Sequence, residues 1–299
     1  RLLPLVFCLA SPFAVAQGVT IGGTAMEGES HPGFMGMFTG DLYDNFRNMQ
    51  RYVPTSVMQP GEETWDLGAN ADSLAFTGDF LGEATSLEDF IALSNTSALL
   101  VIKGDKIVFE HYAHGDSVDS LHTSFSVAKS FVATLIGIAV EEGLIKSIDE
   151  PIRKYLPALT SKTWDDVTIR HVLQMSSGVR FNEAYTDPNS DINKMAVLTQ
   201  DMSYLEYINT LGRDHPPGTF NHYASINTQL LGILLVEVTG KTLTEYMQEK
   251  LWQPMGMEFD ASWSVDDKKN RRTKAFCCLN TTARDLAKIG KLYLDGGNW

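Results

Sequence analysis

Cysteine is scarce in this chain, with three residues in 299, two of them adjacent at Cys277 and Cys278. Neighbouring cysteines rarely meet the geometry a disulfide demands, so the sequence predicts free, mostly buried thiols and no disulfide framework. Neither has the spaced partners of a zinc site, and no H-E-x-x-H is present, so no metal is expected. His111, His114, His122, His171, His215 and His222 are scattered and read as solvated or core side chains. Basic residues are also in short supply, 24 against 37 acidic, for a formal charge of −13. That balance argues against nucleic acid and against anionic membrane surfaces as partners. No apolar run is long enough to span a bilayer.

Several reaction signatures are missing too. There is no G-x-S-x-G elbow, which a Ser-His-Asp hydrolase with a strand-turn-helix nucleophile needs. Neither G-x-x-x-x-G-K-[ST] nor G-x-G-x-x-G occurs, so nothing cradles a nucleotide phosphate and no cofactor is expected.

What is present begins with an apolar stretch, Leu2 to Ala10, followed by Ala14-Val15-Ala16. A short apolar core before a small-x-small site reads as the remainder of an export signal over residues 1–16, which implies a periplasmic or secreted protein. Residues 17–97 are irregular and rich in Gly, Met, Pro and Asn, and read as an extension packed on a main domain at 98–299. Within the extension, 41–50 suits a short helix, and Ser86 with Asp89 three residues on suits a helix cap. Ala98 to Lys103 and Lys106 to Tyr112 are β-rich runs around Gly104-Asp105, a hairpin signal.

From Ser126 onward the pattern is helical. Helices are expected over 126–142, from Asp149-Glu150-Pro151, from Thr168, over 201–211, over 226–238, over 242–252 and over 281–295. A polar loop is expected at 181–193, and an extended turning stretch where Pro216-Pro217-Gly218 denies helix. A hairpin alone is a poor sheet, so the reading is an α+β fold whose last strands lie beyond Trp299.

The chemistry concentrates at Ser126-Val127-Ala128-Lys129. Residues three apart share a helix face, so the Lys129 amine can lie beside the Ser126 hydroxyl. A serine hydroxyl is a poor nucleophile until a neighbour takes its proton, and lysine can do so only where burial and nearby positive charge depress its pKa. A helix N-terminus supplies positive potential and N–H groups suited to an oxyanion. A second polar element is needed, and Tyr223-Ala224-Ser225, non-helical and just before a helix, supplies it. On the triplet alone, Ser126 and Lys129 are as readily a helix cap and a solvated lysine. Phe181, Asn182, Tyr185 and Trp263 are candidates for a pocket wall but suit a core equally well.

Together with Val167 to Gly178, Pro217 to Tyr223 and Thr282 to Asp285, these motifs resemble the serine β-lactamase and penicillin-recognising hydrolase family on its class C side, over about Ala98 to Trp299. The resemblance implies a β-lactamase/transpeptidase-like fold, an antiparallel sheet flanked by helices with a helical region. It implies an acyl-enzyme at Ser126, with Lys129 and Tyr223 as the acid/base pair, the Ser126 N–H as half an oxyanion hole and Ser225 steadying Lys129 or the substrate.

Two departures shape the expectation. The family's late Lys- or His-containing triad is not found; Lys241-Thr242 is followed by Leu243 and reads as a helix junction. Ser225 stands where β-lactamases have Asn, and a hydroxyl cannot offer an amide's paired donor and acceptor. Tyr-x-Ser instead resembles the esterases and nylon-oligomer hydrolases of that fold. The expected partner is a small ester, amide or peptide-like substrate. A β-lactamase or D-Ala-D-Ala carboxypeptidase is the alternative enzyme, and a non-catalytic binding or sensor module the alternative class.

Overall fold

A computed structural model describes residues 34–68, 77–80, 82–198, 202–266 and 272–299. The expected export signal at 1–16 lies outside the described residues. Among those described, no helix is long and apolar enough to cross a membrane.

The extension holds more structure than its composition predicts. Helix α1 (Leu42–Arg47) is capped by Asp41, whose carboxylate accepts from the N–H groups of Tyr43 and Asp44. Strand β1 (Thr55–Met58) follows, then the hairpin of β2 (Thr77–Phe80) and β3 (Glu83–Ser86). The expected Ser86 cap starts α2 (Leu87–Leu93) and accepts from the Asp89 N–H. Next come β4 (Ala98–Lys103) and β5 (Lys106–Tyr112), joined through Gly104 at φ +60 as the hairpin signal required.

Strand β6 (His122–Thr123) leads to α3 (Ala128–Glu141), which stops at Gly143 with φ +74. The order continues with α4 (Ile169–Leu173), α5 (Asp191–Ala196), α6 (Tyr204–Thr210), α7 (Ser225–Thr239) and α8 (Leu243–Met247). A π-helical turn at Gln248–Trp252 extends α8, and β7 (Ala261–Ser264), β8 (Leu279–Thr281) and α9 (Ala283–Leu294) complete it.

The reading of a helical region after one hairpin therefore missed β1, β7 and β8. They assemble with β6 as an antiparallel four-stranded sheet in the order β1-β7-β8-β6. β7 is buried at every position, so it carries none of the alternation that marks a strand with one wet face. The extension's β1 joins this sheet, pairing Thr55 with Ser264 and Met58 with Ala261, rather than the β4–β5 hairpin. That hairpin is instead fastened to α9, where Arg284 grips the Glu110 carboxylate through two bonds of 2.8 Å. The helix expected from Asp149 is only a 3-10 turn at Ile152–Lys154, because the Ile152 N–H is drawn to the Val167 carbonyl.

The main hydrophobic core runs between these layers, and a small second cluster of Leu87, Ile91 and Leu99 joins α2 to β4. Phe131, Val132 and Leu135 of α3 meet Leu230 and Leu234 of α7, with Trp252, Met257 and Trp263 toward the sheet. Glycine permits the closest approach: a Cβ on Gly232 of α7 would lie 2.4 Å from the Ala275 Cβ. That contact presses α7 onto the segment before β8.

Candidate active site

Ser126 does not begin α3; it sits in the 3-10 turn Phe125–Val127 just ahead of it. The turn is forced. Phe125 has φ +44, a conformation that disfavours any side chain, and two sets of contacts hold it there. Its ring stacks on Phe38 at 6.2 Å and meets Phe46 edge-on at 5.4 Å. Its carbonyl accepts from the Cys278 N–H, while the preceding Ser124 N–H donates to Leu279. The sharp bend lifts Ser126 away from the strand β6 that precedes it.

Lys129, in the first turn of α3, donates from Nζ to Ser126 Oγ at 3.0 Å and to the Phe276 carbonyl at 2.7 Å. The i, i+3 spacing thus brings the two together as the motif predicts. Nζ also lies 5.0 Å from the centroid of the Tyr223 ring. Burial lowers the Lys129 pKa to about 8, with the Glu183 carboxylate pulling the other way. Tyr223 is exposed over 43% of its surface. Burial raises its phenol pKa, and hydrogen bonding with the Ser126 hydroxyl works against that rise. Ser126, Lys129 and Tyr223 share one place in the fold.

Tyr223 is aimed by a strap, not by a helix. His222 N–H donates to the Met175 carbonyl, Gly218 N–H to Ser176, and the Asn221 amide to Gln174, which zips 218–222 onto the turn after α4. Gly178, at φ +77, closes this seam so tightly that a Cβ would fall 1.9 Å from the His215 carbonyl oxygen. The two phrases that look family-like in sequence are thus a packed pair. Thr282-Ala283-Arg284-Asp285 is structural as well: Thr282 caps α9, and buried Asp285 accepts from the Glu258 and Phe259 N–H groups and from Lys288.

Ser225 meets a partner that the sequence reading did not name. It is buried at the start of α7 and gives its N–H at 2.9 Å and its hydroxyl at 2.5 Å to the two oxygens of Glu183. Its partner is this carboxylate, while Lys129 donates to Ser126 and Phe276. Glu183 escaped sequence reasoning because it reaches the site from a loop 42 residues away. It also accepts from the Tyr185 hydroxyl at 2.8 Å. The Phe276 carbonyl was equally invisible, being backbone. Of the candidate wall residues, Phe181 and Trp263 are core, while Tyr185 is exposed beside Glu183.

Lys241-Thr242 forms the junction between α7 and α8, as expected. Thr242 caps α8 and Lys241 pairs with Glu249. The expectation of free thiols fails. Cys277 and Cys278 form a disulfide with each other. The physical reason is backbone conformation, since Cys278 adopts φ +68, outside the usual range, and both side chains are buried together. Among the described residues, no group of His, Cys, Asp or Glu has the arrangement of a metal site.

A family model described as Beta-lactamase matches residues 94–298. The chain belongs to the beta-lactamase family. A 6-aminohexanoate-dimer hydrolase of Paenarthrobacter ureafaciens is 32% identical over 224 residues, covering 71% of this chain and 55% of that enzyme. A beta-lactamase of Escherichia coli K12 is 28% identical over 130 residues, 44% of this chain and 32% of the other. The chain thus spans about half or less of the length of these curated relatives. Among solved structures, a Bacillus anthracis protein assigned as a 6-aminohexanoate-dimer hydrolase superposes with a TM-score of 0.74 at 23% identity, over 86% of this chain and 70% of that one. A Bacillus halodurans penicillin-binding protein follows at TM-score 0.53 and 23% identity, over 66% and 70%. The fold is that of the serine β-lactamases and transpeptidases, helices with antiparallel sheets.

Proposed function

We propose that this chain, with residues 98–299 as its hydrolase domain, cleaves an ester or amide through an acyl-enzyme at Ser126. The observation that carries the reading is the 3.0 Å contact between Ser126 Oγ and a half-buried Lys129 amine whose pKa is lowered to about 8. Near neutral pH a useful fraction of that amine is unprotonated, so Nζ can take the hydroxyl proton as Oγ attacks the carbonyl carbon. The Ser126 N–H is one donor to the oxygen that becomes negative. Collapse of the tetrahedral adduct breaks the bond to the leaving group, which takes a proton from Tyr223 or Lys129. The same pair then removes a proton from the water that releases the acid.

The substrate class rests on likeness. The relative at 32% identity is named as a hydrolase of the 6-aminohexanoate dimer, and Ser225 is engaged with Glu183 rather than offering a β-lactamase's amide. Short linear esters and amides are therefore preferred to β-lactams in this reading; turnover of nitrocefin faster than short acyl esters reverses that order. The test of the reaction is a fluorophosphonate probe, expected to label the intact protein and to lose the label in Ser126→Ala. An unlabelled wild-type protein overturns the proposal.

A further inference from the structure

Cys277 and Cys278 lie against the site yet take no part in the chemistry proposed above. Phe276, the residue before them, provides the carbonyl that accepts from Lys129 Nζ at 2.7 Å. Cys278 itself donates its N–H to the Phe125 carbonyl at 3.2 Å, one residue before Ser126. On the opposite side, Trp263 Nε1 donates to the Cys277 carbonyl at 2.9 Å, and the Ser264 N–H donates to the Cys278 carbonyl at 3.1 Å. The dipeptide is thus a rigid spacer between β7 and the Phe125–Lys129 turn, bonded to both.

Its shape depends on Cys278 holding φ +68. A residue with a side chain pays about 1–2 kcal/mol for the left-handed region, and a serine or a free cysteine there favours ordinary backbone angles. Joining the two sulfurs closes a ring of eight atoms across this peptide and leaves few backbone conformations open to it. Ordinary angles at 278 would turn the Cys278 N–H off Phe125 and carry the Phe276 carbonyl away from Lys129.

We infer that the Cys277–Cys278 disulfide is a positioning element for Lys129 and the Ser126 turn, fixing the backbone conformation in which Phe276 and Cys278 hold them. This rests on the reading of Ser126 as the acylated residue. It assigns the pair no contact with substrate.

Three proteins test it: wild type, Cys277→Ser/Cys278→Ser, and Cys277→Ser/Cys278→Gly, in which glycine takes positive φ without a ring. Labelling of the wild type by fluorophosphonate is read first, because its absence sinks the hydrolase reading and not this one alone. In the labelled protein, alkylation of the unfolded chain without reductant should leave Cys277 and Cys278 unmodified; two alkylated residues there overturn the inference. The Cys277→Ser/Cys278→Ser variant should acylate on the order of 10²-fold more slowly, through kcat with KM unchanged, as expected for a displaced catalytic group. The glycine variant should recover most of that loss. Wild-type rates in the double-serine variant, or an equally slow but folded glycine variant, overturn the proposal. If the double-serine variant does not fold, the glycine variant alone decides, a restored rate supporting the inference and a slow one refuting it.

Discussion

Ser225 spends both its backbone N–H and its hydroxyl on the carboxylate of Glu183. The first residue of α7 is thereby locked to a loop that also carries Tyr185, and a negative charge is fixed close to Lys129. That charge favours the ammonium form of Lys129 and so opposes its use as a base. Glu183→Gln keeps an acceptor for Ser225 and removes the charge. Its expected effect is to move the pH limb of acylation to lower pH, because the Lys129 pKa falls once its counter-charge is gone. The rate of fluorophosphonate labelling against pH in the two proteins measures this directly, and an unmoved or upward-shifted limb counts against it.

On the proposed mechanism Lys129 sets the limb itself. Burial brings its pKa to about 8, so the neutral form dominates above that pH and the ammonium below it. Acylation should therefore rise about tenfold per pH unit up to about 8 and level off beyond. Lys129→Arg keeps the charge but cannot shed a proton, since guanidinium pKa values exceed ~12. Labelling of that variant should fall by roughly 10²- to 10⁴-fold with no pH limb near 8, the range typical of a lost proton-transfer group.

The parts of this site that were legible in sequence are those built by local geometry. Ser126 and Lys129 meet because three residues along a helical turn bring side chains together, whatever surrounds them. Tyr223 was legible through its setting, a proline- and glycine-bounded strap ahead of a helix. Glu183 and the Phe276 carbonyl were not, since one arrives by tertiary packing and the other has no side chain to read. The same limit explains β7 and β8. Three or four residues, buried at every position, show no period, and the pairing of β7 with β1 joins positions some 200 residues apart. The Cys277–Cys278 disulfide was missed because adjacency argues against it unless the φ of Cys278 is known. The hairpin, the cap at Ser86 and the helix start at Thr168 were all readable, because each satisfies a local hydrogen-bonding or dihedral demand.

Tyr223 separates catalysis from packing. Its side chain is 43% exposed, so removing the oxygen leaves little behind. Tyr223→Phe should lower the acylation rate by roughly 10²- to 10⁴-fold. Its urea midpoint should stay within the equivalent of about 0.5 kcal/mol of wild type, as for substitutions away from buried networks. Labelling rates and equilibrium unfolding on the same preparation check both halves. A large midpoint shift would make the tyrosine a packing residue instead.

Asp285 is the opposite case, far from Ser126 in role but buried among polar partners. It accepts from the Glu258 and Phe259 N–H groups at 2.7 and 3.1 Å and from the Lys288 amine at 3.3 Å, and it closes the Thr282 cap of α9. Lys288 is fully buried and depends on Asp285, Glu258 and the Gly256 carbonyl for compensation. Asp285→Ala strips two backbone donors and one side of a buried cation, and should cost about 3–5 kcal/mol. The urea midpoint is expected to drop with no change in slope. Because α9 grips the β4–β5 hairpin through Arg284 and Glu110, the loss is expected to be global, in a single transition rather than two. Adding Lys288→Met to Asp285→Ala removes the stranded charge and should recover part of the stability, since buried ion pairs are replaceable by apolar side chains of similar volume. If the double variant is no more stable than Asp285→Ala, the cost lies in the two lost backbone acceptor contacts and the cap, and not in the unpaired Lys288 amine.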